Sequence, residues 1–344
     1  MTASALGPMA VPARRPGVTA VRARRVAGRT LATLARSVAI FVPVFLVATF
    51  VTFALREISG LSPARLQLGE DATPEAIARI EHEWGLDRPF LAQYWTWFRD
   101  VLHGGLGASW TNGADVSTLL GSGLAVSLSV ASLALVIGVV LGLAFGTLAA
   151  VRRTTWIDRA ITALMTVISV MPPFVVGIVL VELFAVGLGW FPSSGYAPVE
   201  TGVWPWLSHI LLPALALSFD AVADVARQLR AGLIAAYREN YVIGATVRGL
   251  GPRRIFTRHV LRNGVGPALA VLGLKFPALI GGSVVTEWIF GLQGVGRFAN
   301  DSAQAGDVPA VQGVLVLSIV LVVAFNLLVN IVLARVTPAS QRGV

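Results

Sequence analysis

The sequence predicts an all-α polytopic membrane protein, and three observations carry that prediction. Of 344 residues, 55% are hydrophobic and 13% charged, a balance that would leave a soluble domain with far too much exposed apolar surface. Six runs approach or exceed the roughly 20 mostly apolar residues needed to cross a hydrocarbon layer; they fall at 37–55, 122–149, 160–188, 206–226, 264–290 and 309–334. Arginine divides unequally between the two sets of connections, twenty on one side and six on the other. The chain has no cysteine, which excludes disulfides, thiolate metal ligands and a cysteine nucleophile.

Residues 1–36 form a basic arm with seven arginines. The motif "RRVAGRTLATLAR" before the first run imitates the charged region of a signal peptide. The apolar core is too long for one, however, and Leu55-Arg56-Glu57 stands where a small-residue cleavage site would be, so 37–55 reads as an uncleaved first span. Residues 56–121 form the largest segment on the arginine-poor side. There "TPEAIARIEHEWGL" predicts a short helix with Thr73 as N-cap, Pro74 in its first turn, and Ile77, Ile80 and Trp84 on one face. The aromatic, amphipathic "PFLAQYWTWFRDVLHG" follows, either lying on the membrane surface or packing as a lid over the loop ends.

Residues 122–335 hold the other five spans, interrupted by the loop 227–263, and 336–344 form a tail. With six spans both termini share a side, and the arginine excess places that side in the cytoplasm of a bacterial plasma membrane. Trp95, Trp97, Trp110, Trp190, Trp204, Trp206 and Trp288 gather at the opposite interface, as an aromatic belt does.

The loop contains "YRENYVIGATVRGLGPRRIFTRHVLRN", residues 237–263. Ala231 to Arg248 favours helix, Gly249-Leu250-Gly251 breaks it, and Pro252 is placed to begin a second helix. On the residues alone its arginines serve equally well to fix topology against anionic lipid or to engage a protein partner. Nucleic acid is a poor fit for so short a basic segment tethered at a membrane.

Charges inside spans are costly and therefore informative. At ~1.5 Å rise per residue, Lys275 lies about 16 Å and Asp220 about 10 Å from the arginine-rich side, so lysine's reach predicts a structural ion pair between them. Asp224, one turn from Asp220, is expected to meet Arg227 or Arg230. Glu182 and Glu287 fall near the other ends of their spans and are candidates for a translocation path or gate, together with Ser283 and Asn326, or else each is an interfacial carboxylate bonded to backbone or water. Gly281, Gly282 and Ser283 suit close helix approach, and Asn326 and Asn330 share a face. His209 and His259 show no metal-ligand spacing, so no metal site is assigned.

The motifs "ENYVIGATVRGL" and "RHVLRN" resemble the cytoplasmic signature loop of ABC importer permeases of the dipeptide/oligopeptide/nickel family, of the B-type peptide permease in particular. Tyr241, Ala245, Gly249, Leu250, His259, Leu261, Arg262 and Asn263 fall in register; Asn240 stands where the family usually has Asp, and Ile243-Gly244 replaces Arg-Thr. "WGLDRPFLAQYWTWFRDVLHGGLGAS", "MPPFVVGIVLVELFAVGLGWFPSSGY", "GGSVVTEWIFGLQGVGRFANDSAQAGDVPAVQGV" and "NLLVNIVLARVTP" extend the likeness over about 300 residues, in order.

The resemblance implies a type I ABC importer permease fold and a chain forming half of a path for di- or oligopeptides, or for nickel or another small solute. It implies a second homologous permease subunit, two cytoplasmic ABC ATPases that use ATP and Mg, and an external solute-binding protein, besides membrane lipid. The chain has no Gly-x-x-x-x-Gly-Lys-(Ser/Thr) loop, its one lysine being Lys275, so it is expected to bind no nucleotide cofactor and to be no enzyme itself. By the same resemblance 236–252 is expected to be the coupling helix, with Glu239, Asn240, Tyr241, Gly244, Ala245, Arg248, Gly249 and Leu250 touching an ATPase. An ion-coupled secondary transporter would show two matching halves, and residues 171–344 do not repeat 1–170.

Overall fold

The computed structural model describes residues 39–336 apart from positions 40, 59, 61 and 70. The basic arm expected at 1–36 lies outside them, as does nearly all of the tail expected at 336–344. Among the described residues five helices are long and apolar enough to span a membrane: α1 (Phe41–Ile58), α5 (Val116–Val151), α8 (Val203–Tyr237), α12 (Gly266–Ile289) and α14 (Val308–Val336). The run expected as one continuous span over 160–188 is instead two helices bent by 100°, α6 (Trp156–Val170) and α7 (Pro173–Leu180), the latter continuing as a π-helical stretch, Val181–Gly187. Pro172 and Pro173 cause the break. Neither has an N–H to give, and each forces the residue before it out of the helical region: Met171 has ψ 121° and Pro172 ψ 138°.

Shorter helices decorate the two ends. At the tryptophan-rich end are α2 (Pro63–Leu68), α3 (Pro74–Glu83), α4 (Phe90–Leu102) and α13 (Val295–Gln304). At the arginine-rich end are α9 (Asn240–Val247), α10 (Pro252–Ile255) and α11 (Leu261–Gly264). The Thr73 hydroxyl accepts from the Ala76 N–H at 3.3 Å, so α3 begins where its cap and Pro74 place it. The apolar face of α4 packs on α1, with Trp97 5.7 Å from Phe53 and 6.3 Å from Phe45 between ring centroids. That contact ties α4 to the first span, while Leu91, Trp95 and Leu102 stay exposed on it.

The spine of the bundle is α5 against α8. Gly138, Gly142 and Gly146 recur every four residues along one face of α5, so no side chain holds the two backbones apart. A Cβ at Gly138 would stand 2.9 Å from the Ala221 Cβ, one at Gly142 2.6 Å from the Val225 Cβ, and one at Gly146 2.7 Å from the Ala226 carbonyl oxygen. Gly281 and Gly282, which the sequence marks for close approach, do not have this role within the chain. Nothing lies within 4 Å of a Cβ at Gly281, and only a Leu217 methyl lies at 3.9 Å from one at Gly282. Gly142→Leu is therefore expected to cost about 1–3 kcal/mol or more through overpacking, lowering the thermal midpoint of the purified protein. Gly281→Leu, with open space beside it, is the control; equal midpoints would refute the seam.

Polar side chains fasten the tryptophan-rich end. Asp307 caps α14 by accepting from the Ala310 N–H at 3.2 Å, and also accepts from Ser109 Oγ at 2.5 Å and Thr111 Oγ1 at 2.6 Å. One buried carboxylate thus starts the last span and ties the 107–115 hairpin to it. The fully buried Gln312 donates from Nε2 to the Thr49 carbonyl at 2.8 Å, joining α14 to α1.

Candidate functional site

At the arginine-rich end α8 does not stop with the span that the sequence assigns to 206–226; it runs unbroken to Tyr237. The helix expected over Ala231–Arg248 is divided at Arg238–Glu239, where Glu239 takes an extended ψ of 144°, and α9 restarts at Asn240. The physical reason is packing. After the corner, Val242 and Ala245 turn back into the same apolar cluster as Leu233, Ala236, Ile255 and Val260, with Tyr241 and Leu250 half-buried against it. Burial pushes the Tyr241 phenol above its usual range. Gly249 ends the element at φ 76°, a left-handed turn that glycine makes without strain.

This geometry sorts the eight residues expected to touch a partner. Glu239, Asn240, Arg248 and Gly249 are exposed, and Gly244 has open space on its Cβ side. Ala245 is fully buried, and Tyr241 and Leu250 face inward, so these three anchor α9 instead of presenting it. The outward positions that sequence reasoning passed over are Ile243, 57% exposed, and Val247, 82% exposed. Their i, i+4 spacing is the missed signal: two β-branched apolar residues on the face opposite Val242 and Ala245. Around them stand Arg238, Arg248, Arg253, Arg254, Arg258 and Arg262, all exposed. A short helix with its inner face fixed, two bare apolar side chains outside and a basic surround can seat in an apolar groove rimmed by acidic groups.

Two further devices hold α8 to its neighbours at this end. Gly232 of α8 crosses Gly264 of α11 so closely that a Cβ on Gly232 would strike the Gly264 carbonyl oxygen. Asp158, buried near the start of α6, accepts two hydrogen bonds from Arg230, at 2.7 Å from Nε and 2.8 Å from a terminal nitrogen, and a third from the Thr154 N–H at 3.0 Å. Arg230 is therefore not the partner of Asp224; Arg227 is.

In the inner part of the bundle Lys275 Nζ donates to Asp220 Oδ2 at 2.5 Å and also pairs with Asp224, which in turn holds Arg227. The pair expected between α8 and α12 is thus part of a four-member chain of alternating charge.

The path residues need correction. Glu287 is fully buried within the chain: it accepts from Ser127 Oγ at 2.7 Å and from the Arg297 N–H at 2.8 Å, while Ser127 itself accepts from the Val295 N–H at 2.8 Å. Backbone N–H groups at the start of α13 attract a carboxylate for the reasons that favour acidic caps, so Glu287 fixes α13, as its alternative reading of a carboxylate bonded to backbone has it. Ser283 is buried with its hydroxyl on the Ile280 carbonyl. Asn326 donates to the Val322 carbonyl at 3.0 Å and lies against Gly273, packing α14 on α12. Of the four, Glu182 alone is exposed, in the π-helical stretch.

A bundle of continuous and broken spans carrying an anchored helix on a basic face defines a polytopic membrane protein. The chain belongs to the family described as binding-protein-dependent transport system inner membrane component, whose model matches residues 142–342; the corresponding N-terminal model matches residues 31–131. The resemblance read from the loop and its flanking motifs thus holds. A probable peptide ABC transporter permease of Sinorhizobium fredii is 35% identical, over 89% of this chain and 97% of that protein. A putative peptide transport system permease of Brucella abortus is 36% identical, over 89% and 98%. A glutathione transport system permease of Salmonella paratyphi A is 32% identical, over 87% and 95%. Among solved structures, the fold is shared with a chain of the MetNI methionine ABC transporter in inward-facing form, at a TM-score of 0.52 and 19% identity, over 64% of this chain and 98% of that one.

Proposed function

We propose that the chain is one of two permease subunits of an ATP-driven importer of short peptides, with its arginine-rich end and both termini in the cytoplasm of a bacterial plasma membrane. Two ABC ATPases dock on that end, and an external binding protein delivers cargo to the tryptophan-rich end. The observation that carries the reading is α9: its inner face is locked to α8 through Val242 and Ala245, while Ile243 and Val247 stand bare for an ATPase groove. The ATPases supply ATP hydrolysis; this chain supplies half of the path and the contact that moves it. Peptide cargo is supported by the names of the peptide permeases above, and by glutathione, itself a tripeptide.

Uptake of a labelled tripeptide and of labelled nickel, in cells with and without the gene, tests the cargo. Loss of tripeptide uptake alone supports it; loss of nickel uptake alone overturns it. Gly249→Leu tests the coupling. With φ at 76° and open space around it, the strain is in the backbone turn, about 1–2 kcal/mol, so the protein is expected in the membrane at normal abundance with uptake reduced several-fold. Normal uptake by Gly249→Leu would remove this turn from the coupling contact.

A further inference from the structure

A cavity of about 340 Å³ lies at the tryptophan-rich end, between α3, α4, the 107–113 loop and the end of α1. This volume falls within the range of small-ligand sites. Its walls are aromatic: Trp84 and Trp110 stack nearly parallel, with centroids 5.1 Å apart and planes at 8°, and Trp97 and Phe53 also contribute. Trp97 is 8% exposed, yet its indole Nε1 has no hydrogen-bond acceptor. A buried N–H of this kind is usually satisfied, and an acceptor arriving in the cavity would relieve it.

Two opposite charges share the lining. Arg88 and Asp100 are both exposed, and neither side chain forms an ion pair or hydrogen bond among the described residues. The other lining carboxylate, Glu83, is engaged by Arg79 at 3.7 Å. The cavity therefore offers a cation and a buried N–H for a carboxylate, a free carboxylate for an ammonium, and aromatic faces that suit both a cation and apolar side chains.

We propose that this cavity is a binding site for a small zwitterion with well-separated charges, a dipeptide, with its carboxylate on Arg88 and Trp97 Nε1 and its ammonium on Asp100. The ligand class follows from the lining and goes beyond the importer reading, because the site lies between the outer helices and the outer ends of α1 and α14. It gives the outer face of the permease a recognition element of its own for molecules with two free termini.

The test uses the complete transporter in nanodiscs without its binding protein, titrated with labelled dialanine, N-acetyl-dialanine and dialanine amide. Saturable binding of dialanine is expected, with each blocked analogue weaker by at least tenfold. Arg88→Gln should weaken dialanine and erase its advantage over the amide; Asp100→Asn should erase its advantage over the acetylated form. Trp97→Phe, which keeps the ring packing and removes the N–H, should weaken dialanine about fivefold. Absence of saturable binding, or binding unchanged by all three substitutions, overturns the site. ATP-driven uptake with the binding protein, measured in parallel, tests the importer reading separately. Site-dependent binding without uptake rejects that reading and keeps the cavity; uptake without such binding does the reverse.

Discussion

Lys275→Ala is expected to strip the membrane of most of its folded protein. Removing the lysine leaves Asp220 without a countercharge within a span and leaves Asp224 with Arg227 alone. Breaking a buried ion pair from one side costs about 3–5 kcal/mol; Asp220, with 47% of its side chain exposed, brings the expected loss toward the lower end. Lys275→Arg keeps the charge and should keep most of the stability. The informative variant is the double replacement of Lys275 by Gln and Asp220 by Asn, which removes both charges together. Its thermal midpoint should lie above that of Lys275→Gln alone, because paired charges show a coupling term that independent sites lack. Strict additivity of the two single changes would show that the alternating chain of charges contributes nothing.

Val247→Asp is expected to abolish transport at normal abundance. Val247 is 82% exposed, so the substitution touches no core and should alter stability by at most about 0.5 kcal/mol. An aspartate there would place a desolvated charge in the proposed apolar seat, and central interface positions of this kind cost about 2 kcal/mol or more. Uptake is expected to fall at least tenfold, and the ATPase subunits should co-purify less. Ala245→Asp, two positions away but fully buried, should instead lose the protein itself. Uptake that survived Val247→Asp would mean that the outward face of α9 carries no coupling contact.

Length and hydropathy made the spans legible, and the Thr73-Pro74 signal made α3 legible almost to the residue. The double proline Pro172-Pro173 was visible too, but a hydropathy run does not register a bend, since both halves are equally apolar. The glycine seam was written as Gly138, Gly142 and Gly146 in plain four-residue spacing; attention to Gly281 and Gly282 at the other end of the bundle obscured it. Glu287 shows what pattern cannot supply. Its position in the sequence fits a rim carboxylate, and only the fold brings Ser127 and the start of α13 to it. Similarly, Asp158 and Arg230 are 72 residues apart, and nothing local to either points to the other. At α9 the helical period was readable, but which side faced inward depended on the cluster of Leu233, Ile255 and Val260.

The long run of α8 makes it a mechanical beam with one joint, at Pro213, where a backbone hydrogen bond is missing. Its 35 residues give it a length of roughly 50 Å at ~1.5 Å per residue, so a tilt of about 5° imposed at one end displaces the other by about 4 Å. Because the glycine seam leaves no cushion of side chains, α5 cannot slide against α8 without backbone collision and must ride with it as one stiff plate. Compliance then has to come from elsewhere in the chain, and the 100° corner between α6 and α7 offers it. A force applied at the basic end would thus arrive at Pro213 almost undiminished, with that joint and the double-proline corner flexing to let the plate swing.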